Sequence, residues 1–201
     1  MRRGSPLALT MSVCALTMVI ARFALTVRAN TAMLLHARHE ASTDALTGLP
    51  NRRHLETQLY SRLEELRRSG IGFGLLFIDI DHFKQINDRH GHEVGDQVLR
   101  IVADTLSLSV RPFDMLGRWG GEEFLGVLPH TDLENLRAIA ERLRVLVSYS
   151  RADTDNCTVT ATISAGGTVA APADSAESLL KRADHLMYVS KKNGRNRVTV
   201  E

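Results

Sequence analysis

Arg118-Trp119-Gly120-Gly121-Glu122-Glu123-Phe124 sets two glycines and two carboxylates between short apolar runs at 115–119 and 124–128. Paired glycines between strand-like runs signal a hairpin, because both central residues of a primed turn need φ > 0. The spacing predicts a tight turn at Gly120 and Gly121. Glu122 and Glu123 then enter a strand, where Glu is usually disfavoured. Successive strand side chains point to opposite faces, so at most one of the two serves a given site. Taken alone, such a tip is most simply a solvated turn.

It does not stand alone. Leu75-Leu76-Phe77-Ile78-Asp79-Ile80-Asp81-His82-Phe83-Lys84 is an apolar run that follows Gly72 and Gly74 and ends in two aspartates. It reads as a buried strand. Carboxylates at such a strand end either cap the next helix or hold a hard cation. Mg²⁺ is usually bound by one or two carboxylates together with substrate phosphates. Asp79 on one strand and a Glu on a neighbouring hairpin would make a site of that kind.

The hairpin resembles the signature of the GGDEF family, the diguanylate cyclases, in its Glu variant, and the resemblance runs in register along the chain. Asp44-Ala45-Leu46-Thr47-Gly48-Leu49-Pro50-Asn51-Arg52 resembles the family's opening motif, and 77–96 its first strand and guanine-binding segment. Thr162-Ile163-Ser164-Ala165-Gly166 and Lys191-Lys192-Asn193-Gly194-Arg195-Asn196 resemble its late motifs. The likeness covers about 44–200. It implies an enzyme that joins two GTP molecules into cyclic di-GMP with release of pyrophosphate, using Mg²⁺ or Mn²⁺.

Carried over residue by residue, the resemblance makes Asp79, Glu122 and the Ile80 carbonyl the metal ligands. Glu122, Glu123 and Lys84 become the catalytic groups, with Glu122 the family's candidate general base. A carboxylate clamped to Mg²⁺ is a poor base, which tells against that last role. Asn87 and Asp96 would read guanine, Lys191 and Arg195 the phosphates, and Gly120 and Gly121 would line the GTP site. A carboxylate accepts from the N1–H and N2–H₂ of guanine, which adenine lacks. Each residue also has a plainer reading. Lys84 is an exposed lysine, Lys191 and Arg195 complement the end of a helix, and Asp96 caps a helix after Gly95. Arg111-Pro112-Phe113-Asp114 stands at the family's spacing for a product-inhibition site, with Arg142 joining from a neighbouring face. Arg suits a phosphate or the O6/N7 edge of guanine, and Asp the opposite edge. One domain holds one GTP, so two bonds require two sites face to face in a homodimer.

The remaining chain fits this frame. With 201 residues, 44% apolar and 24% charged, one domain plus a modest extension is expected. A formal charge of +2 singles out neither nucleic acid nor an anionic membrane, and no nucleic-acid partner is expected. Cys14 and Cys157 show no pairing pattern, which suits a reducing compartment.

Residues 1–43 form an N-terminal apolar helix and linker, and 44–201 the cyclase-like domain. The 7–27 stretch carries one charge, Arg22, near its end, and is long enough to span a bilayer. A single membrane anchor is the first reading, a soluble helix that pairs with a partner chain its rival, and a cleaved signal peptide the weaker third. A GTP-using domain belongs in the cytoplasm, anchored to the inner membrane on the first reading.

Apolar spacing predicts helices over 52–69, 94–108, 133–147 and 175–192. Strands are expected over 73–80 and 197–200, and over 158–169 with a break at Gly166-Gly167. The order β-α-β-β-α-β, preceded by the N-terminal helix, gives an α/β (α+β) sandwich on a mainly antiparallel central sheet. The family's fold, similar to class III nucleotide cyclases and polymerase palms, agrees. Two other readings stand beside the enzyme: a catalytically silent module that binds nucleotide or cyclic di-GMP, and a purely structural interaction domain. The second leaves the matched charged residues unexplained.

Overall fold

The computed structural model describes residues 16–28, 42–153 and 158–201. Residues 16–28 are helical (α1), with Leu16, Met18, Val19, Ile20, Phe23 and Leu25 exposed. Among the described residues, no helix is long and apolar enough to cross a membrane. The first part of the expected span, 7–15, and most of the linker lie outside the described residues.

Ser42–Glu201 is a separate compact unit. Its helices are α2 (Arg52–Ser69), α3 (Phe83–His90), α4 (His92–Leu108), α5 (Leu133–Tyr149) and α6 (Ala176–Lys192). Its strands are β1 (Phe73–Ile80), β2 (Met115–Gly120), β3 (Glu123–Pro129), β4 (Arg151–Asp153), β5 (Thr158–Thr160), β6 (Ile163–Val169) and β7 (Val198–Val200). Five strands make the main sheet in the order β2-β3-β1-β6-β7, while β4 and β5 pair apart from it. Only the β6–β7 pairing in the main sheet is parallel, as the mainly antiparallel expectation requires.

Alternation along β1 assigns the two faces. Leu76, Ile78 and Ile80 pack with Val98, Leu99, Leu136 and Leu143 of α4 and α5. Phe73, Leu75 and Phe77 pack with Leu55, Leu59, Leu63 of α2 and Leu179, Ala183 and Met187 of α6. Every residue of β1 is buried, which is why the run is apolar rather than alternating. Fully burying each such side chain contributes about 1.5–3 kcal/mol.

Several expectations need correction. The strand expected over 158–169 is two strands, parted at Ala161 and Thr162, and Gly166-Gly167 lies inside β6 rather than breaking it. The glycine at 166 serves close packing: a Cβ there would run into the backbone of α6 at Ala183, Leu186 and Met187. The turn after β2 also differs. Gly120 pairs with Glu123 beyond a register shift, so the tip is Gly121 and Glu122, and only Gly121 takes a positive φ, of 53°. Asp96 does not cap a helix, because α4 starts at His92 after Gly91. Helix α6 is capped by Ser175 in a capping box with Ser178.

Candidate active site

Antiparallel register brings the two acidic motifs together. Asp79 at the end of β1 lies directly opposite Glu123 of β3, so their side chains share the sheet face that α6 covers. The β2–β3 tip follows the same strand end, with the Ile80 amide donating to the Glu122 carbonyl at 3.3 Å. Asp79 is 5% exposed. Burial pushes its carboxyl up to about 6, with Glu122 and Glu123 adding to the rise and Lys191 opposing it. Burial likewise raises Glu123 above its ordinary range, against the pull of Lys191 and with the push of Asp184 and Glu122. Like charges placed across a strand pair are destabilising; Glu122 lies in the turn rather than in the strand expected for it, so strand alternation does not divide the two glutamates, and Asp79 feels the charge of both. The neutralising charge is Lys191, whose Nζ sits 2.7 Å from Asp79 Oδ2. It reaches there because α6 packs closely on β6 at Gly166.

A different carboxylate, Asp81, two residues on, ties the site's frame together. Asp81 accepts hydrogen bonds from Thr162 Oγ1 at 2.7 Å, Ser164 Oγ at 2.6 Å and the Asn196 amide at 2.9 Å. That last bond pins the loop after α6, where Arg195 and Asn196 both take positive φ, 60° and 44°. The sequence left Asp81 undecided between cap and ligand; it is neither.

A second anchor holds the hairpin tip. Arg118 donates through Nε and Nη2 to the Gly121 carbonyl at 2.9 and 2.7 Å, and through Nη1 to Asp44 at 3.1 and 3.2 Å. Burial works to raise the Asp44 carboxyl, but hydrogen bonds from Thr47 and the Arg118 guanidinium leave it below its usual range. The opening motif thus docks onto the hairpin. Gly117 permits this, since a Cβ there would strike the Pro50 carbonyl and Leu55. Arg52 lies over the Trp119 ring at 4.5 Å, and Trp119 meets Phe77 edge-on at 6.0 Å. Sequence reasoning missed Arg118, although the Asp44–Thr47 spacing, closed by two bonds to Asp44 Oδ1, marked a structured turn.

Lys84 is exposed on α3, and Asn87 stands one turn on. The Asn87 side chain packs over Gly95, where a Cβ would run into its oxygen, so it lies across the α3–α4 junction from the residue that precedes Asp96. Arg195 is exposed beyond the end of α6. Far from this, Arg111 and Asp114 close a turn: the Arg111 amide donates to Asp114 Oδ2 at 2.9 Å. Asp114 Oδ1 is buried without a hydrogen-bond partner. Arg142 reaches over from α5 to donate to the Ser109 carbonyl at 2.8 Å, two residues from Arg111.

Among the described residues, no three His, Cys, Asp or Glu side chains enclose a metal ion by themselves. The donor chemistry nonetheless suits a hard cation. Crowded carboxylates that raise one another's affinity for protons have the same affinity for a divalent ion, and Mg²⁺ needs only one or two of them when phosphates complete its shell.

A profile of the family described as "Diguanylate cyclase, GGDEF domain" matches residues 41–197. The chain is 44% identical over 169 residues to the response regulator PleD of Caulobacter vibrioides, covering 81% of this chain and 37% of that protein. It is 41% identical over 163 residues to the diguanylate cyclase DgcP of Pseudomonas aeruginosa, covering 81% of this chain and 24% of that one. It therefore spans well under half the length of these relatives. Among solved structures, the coiled coil and GGDEF domain of DgcB from Caulobacter crescentus, in complex with c-di-GMP, superposes with a TM-score of 0.89 at 33% identity. That match covers 93% of this chain and all of the other. Agreement in profile, in sequence and in fold over the same residues leaves one conclusion: the chain belongs to the GGDEF domain family of diguanylate cyclases.

Proposed function

We propose that the chain is an active diguanylate cyclase that condenses two GTP molecules into cyclic di-GMP and two pyrophosphates. The observation that carries this reading is Asp79 facing Glu123 across the strand pair, with Glu122 next in sequence at the tip and Lys191 on Asp79. With Asp79 buried and Glu122 and Glu123 half-buried, the cluster costs stability unless a cation binds it.

Each bond forms when a 3′-hydroxyl oxygen attacks the α-phosphorus of the second GTP and pyrophosphate departs. Mg²⁺ or Mn²⁺, held by Asp79, Glu122 and the Ile80 carbonyl, would neutralise charge developing on the α-phosphate. The hydroxyl proton passes to the Glu122–Glu123 pair. Burial holds the Glu123 carboxyl above its ordinary range, which suits it to take that proton. Lys191 gives up Asp79 and, with Lys84 and Arg195, follows the triphosphate. Asn87 and Asp96 select guanine: leaving either without its partner costs about 1–3 kcal/mol. Because one domain binds one GTP, the reaction joins two copies in a homodimer.

The turn at Arg111 and Asp114 binds the product and slows the enzyme. Arg111, exposed, and Asp114, half-buried, line one cleft of about 450 Å³, which supports this role. The same turn-and-arginine arrangement, with Arg142 at hand, supplies cations for the phosphates. The reading also places the domain where GTP is, in the cytoplasm.

The test is incubation of the purified chain with GTP and Mg²⁺, and separately with ATP, with the product read by mass spectrometry. Cyclic di-GMP from GTP and nothing from ATP is expected. GTP bound without turnover would replace the enzyme by a nucleotide-binding module, and equal use of ATP would remove Asn87 and Asp96 from their role.

A further inference from the structure

Helix α3 has eight residues and two working faces. Lys84 and Asn87 lie on one. His82, Gln85, Ile86 and Arg89 recur at helical spacing on the opposite one. That second face lines a cleft of about 350 Å³, closed on its other side by the 158–162 segment and floored by Asp81. The size suits a small metabolite.

The cleft's chemistry is selective. The Asp81 carboxylate is already engaged by Thr162, Ser164 and the Asn196 amide, so it presents little free acceptor capacity. Among the described residues, the Arg89 guanidinium and the side chains of His82, Gln85 and Thr160 make no hydrogen bond or ion pair, and all four are exposed. Every one is a donor, and one is a fixed cation. The wall they face is the β5 end of a hairpin outside the main sheet, with Thr160 turned outward and Val159 buried beneath.

We propose that this cleft is a second small-molecule site, for a phosphate-bearing anion, with Arg89 as its principal ligand and His82, Gln85 and Thr160 as supporting donors. An Arg fork beside neutral donors is the arrangement that favours phosphate over a neutral metabolite. The site is not part of the substrate cleft, because it lies on the far side of α3. It is mechanically joined to it. A ligand there contacts the helix that carries Lys84 and Asn87. It also contacts the Asp81 floor, whose hydrogen bond to Asn196 holds the loop bearing Arg195. Occupancy therefore changes GTP affinity, a consequence that rests on the roles given above to Lys84, Asn87 and Arg195. The binding itself does not depend on them.

The test titrates the isotopically labelled full chain with inorganic phosphate and with uridine monophosphate, whose base the guanine readers do not accept, and follows backbone amide resonances. Saturable shifts at His82, Gln85, Arg89 and Thr160 are expected, with Arg89→Ala weakening uridine monophosphate binding about tenfold. Arg89 is exposed, so that variant keeps the fold, which its unshifted core resonances verify. Shifts confined to Lys84, Lys191 and Arg195 would place the anion in the substrate cleft and overturn the proposal. So would binding that Arg89→Ala leaves unchanged, or no saturable shift. The readout needs no turnover, so failure of the cyclase reading and failure of this site are separately visible.

Discussion

Asp79 and Asp81 stand two residues apart at the end of one strand, 5% and 4% exposed, and have opposite fates. Asp81 takes three hydrogen bonds from neutral donors and locks β1, β6 and the loop after α6 to one another. Asp79 has one ionic partner, a lysine it shares with Glu123, and faces two further carboxylates. Burial alone does not separate structure from function. What separates them is whether the fold satisfies the group. Satisfied, a buried carboxylate is a rivet; left in want of cations, it favours the binding of one.

The largest expected effect falls on the unsatisfied member. Asp79→Asn should reduce cyclic di-GMP formation about a thousandfold or more, and Glu122→Gln should do the same, as measured by initial rates with GTP. Persistence of more than a few per cent of the rate would remove either from the chemistry. On the satisfied member the loss is of stability. Asp81→Ala strands two hydroxyls and an amide and should cost about 3 kcal/mol, read as a lower midpoint in urea at an unchanged slope. A variant as stable as the parent would break the distinction between the two.

The pH dependence sharpens it further. Asp79 ionises near 6 when folded and near 3.8 when unfolded. Between those values the folded state binds more protons, so stability from this group falls as pH rises through that window. Asp174 runs the other way. Its carboxyl is lowered first of all by the hydrogen bonds from Arg182, so the stability it contributes is present above 3.8 and is lost as pH falls below it. Metal-free protein should therefore lose the decline above pH 4 on substitution of Asp79, as followed by denaturation at stepped pH. The smallest effect is at the remote turn: Arg111→Ala should leave the initial rate within about twofold while abolishing its slowing by added cyclic di-GMP. Unchanged inhibition would take Arg111 out of that site.

Much of the fold was legible because it rests on periodicity. The leucines at 55, 59, 63 and 66 mark α2 and are all buried, and Gly70 ends it in the left-handed region at φ 72°. The 73–80 run, apolar but for Asp79 near its end, is the central strand. The acidic motifs were legible as motifs, but their meeting depends on the pairing of Asp79 with Glu123, a long-range register that local pattern does not fix. The roles of Arg118 and Asp81 were hidden for the same reason. Their partners, Asp44 and Thr162, lie 74 and 81 residues away. The split of 158–169 escaped because β-branched residues favour strand on both sides of Ala161, and only tertiary packing decides that β5 pairs with β4.

The most direct test of this account measures stability and turnover on one preparation of Asp79→Asn. That variant should be folded and at least as stable as the parent, freed of a buried charge among like charges, and should make no cyclic di-GMP from GTP and Mg²⁺. A variant that still makes product, or one destabilised as Asp81→Ala is, would contradict it.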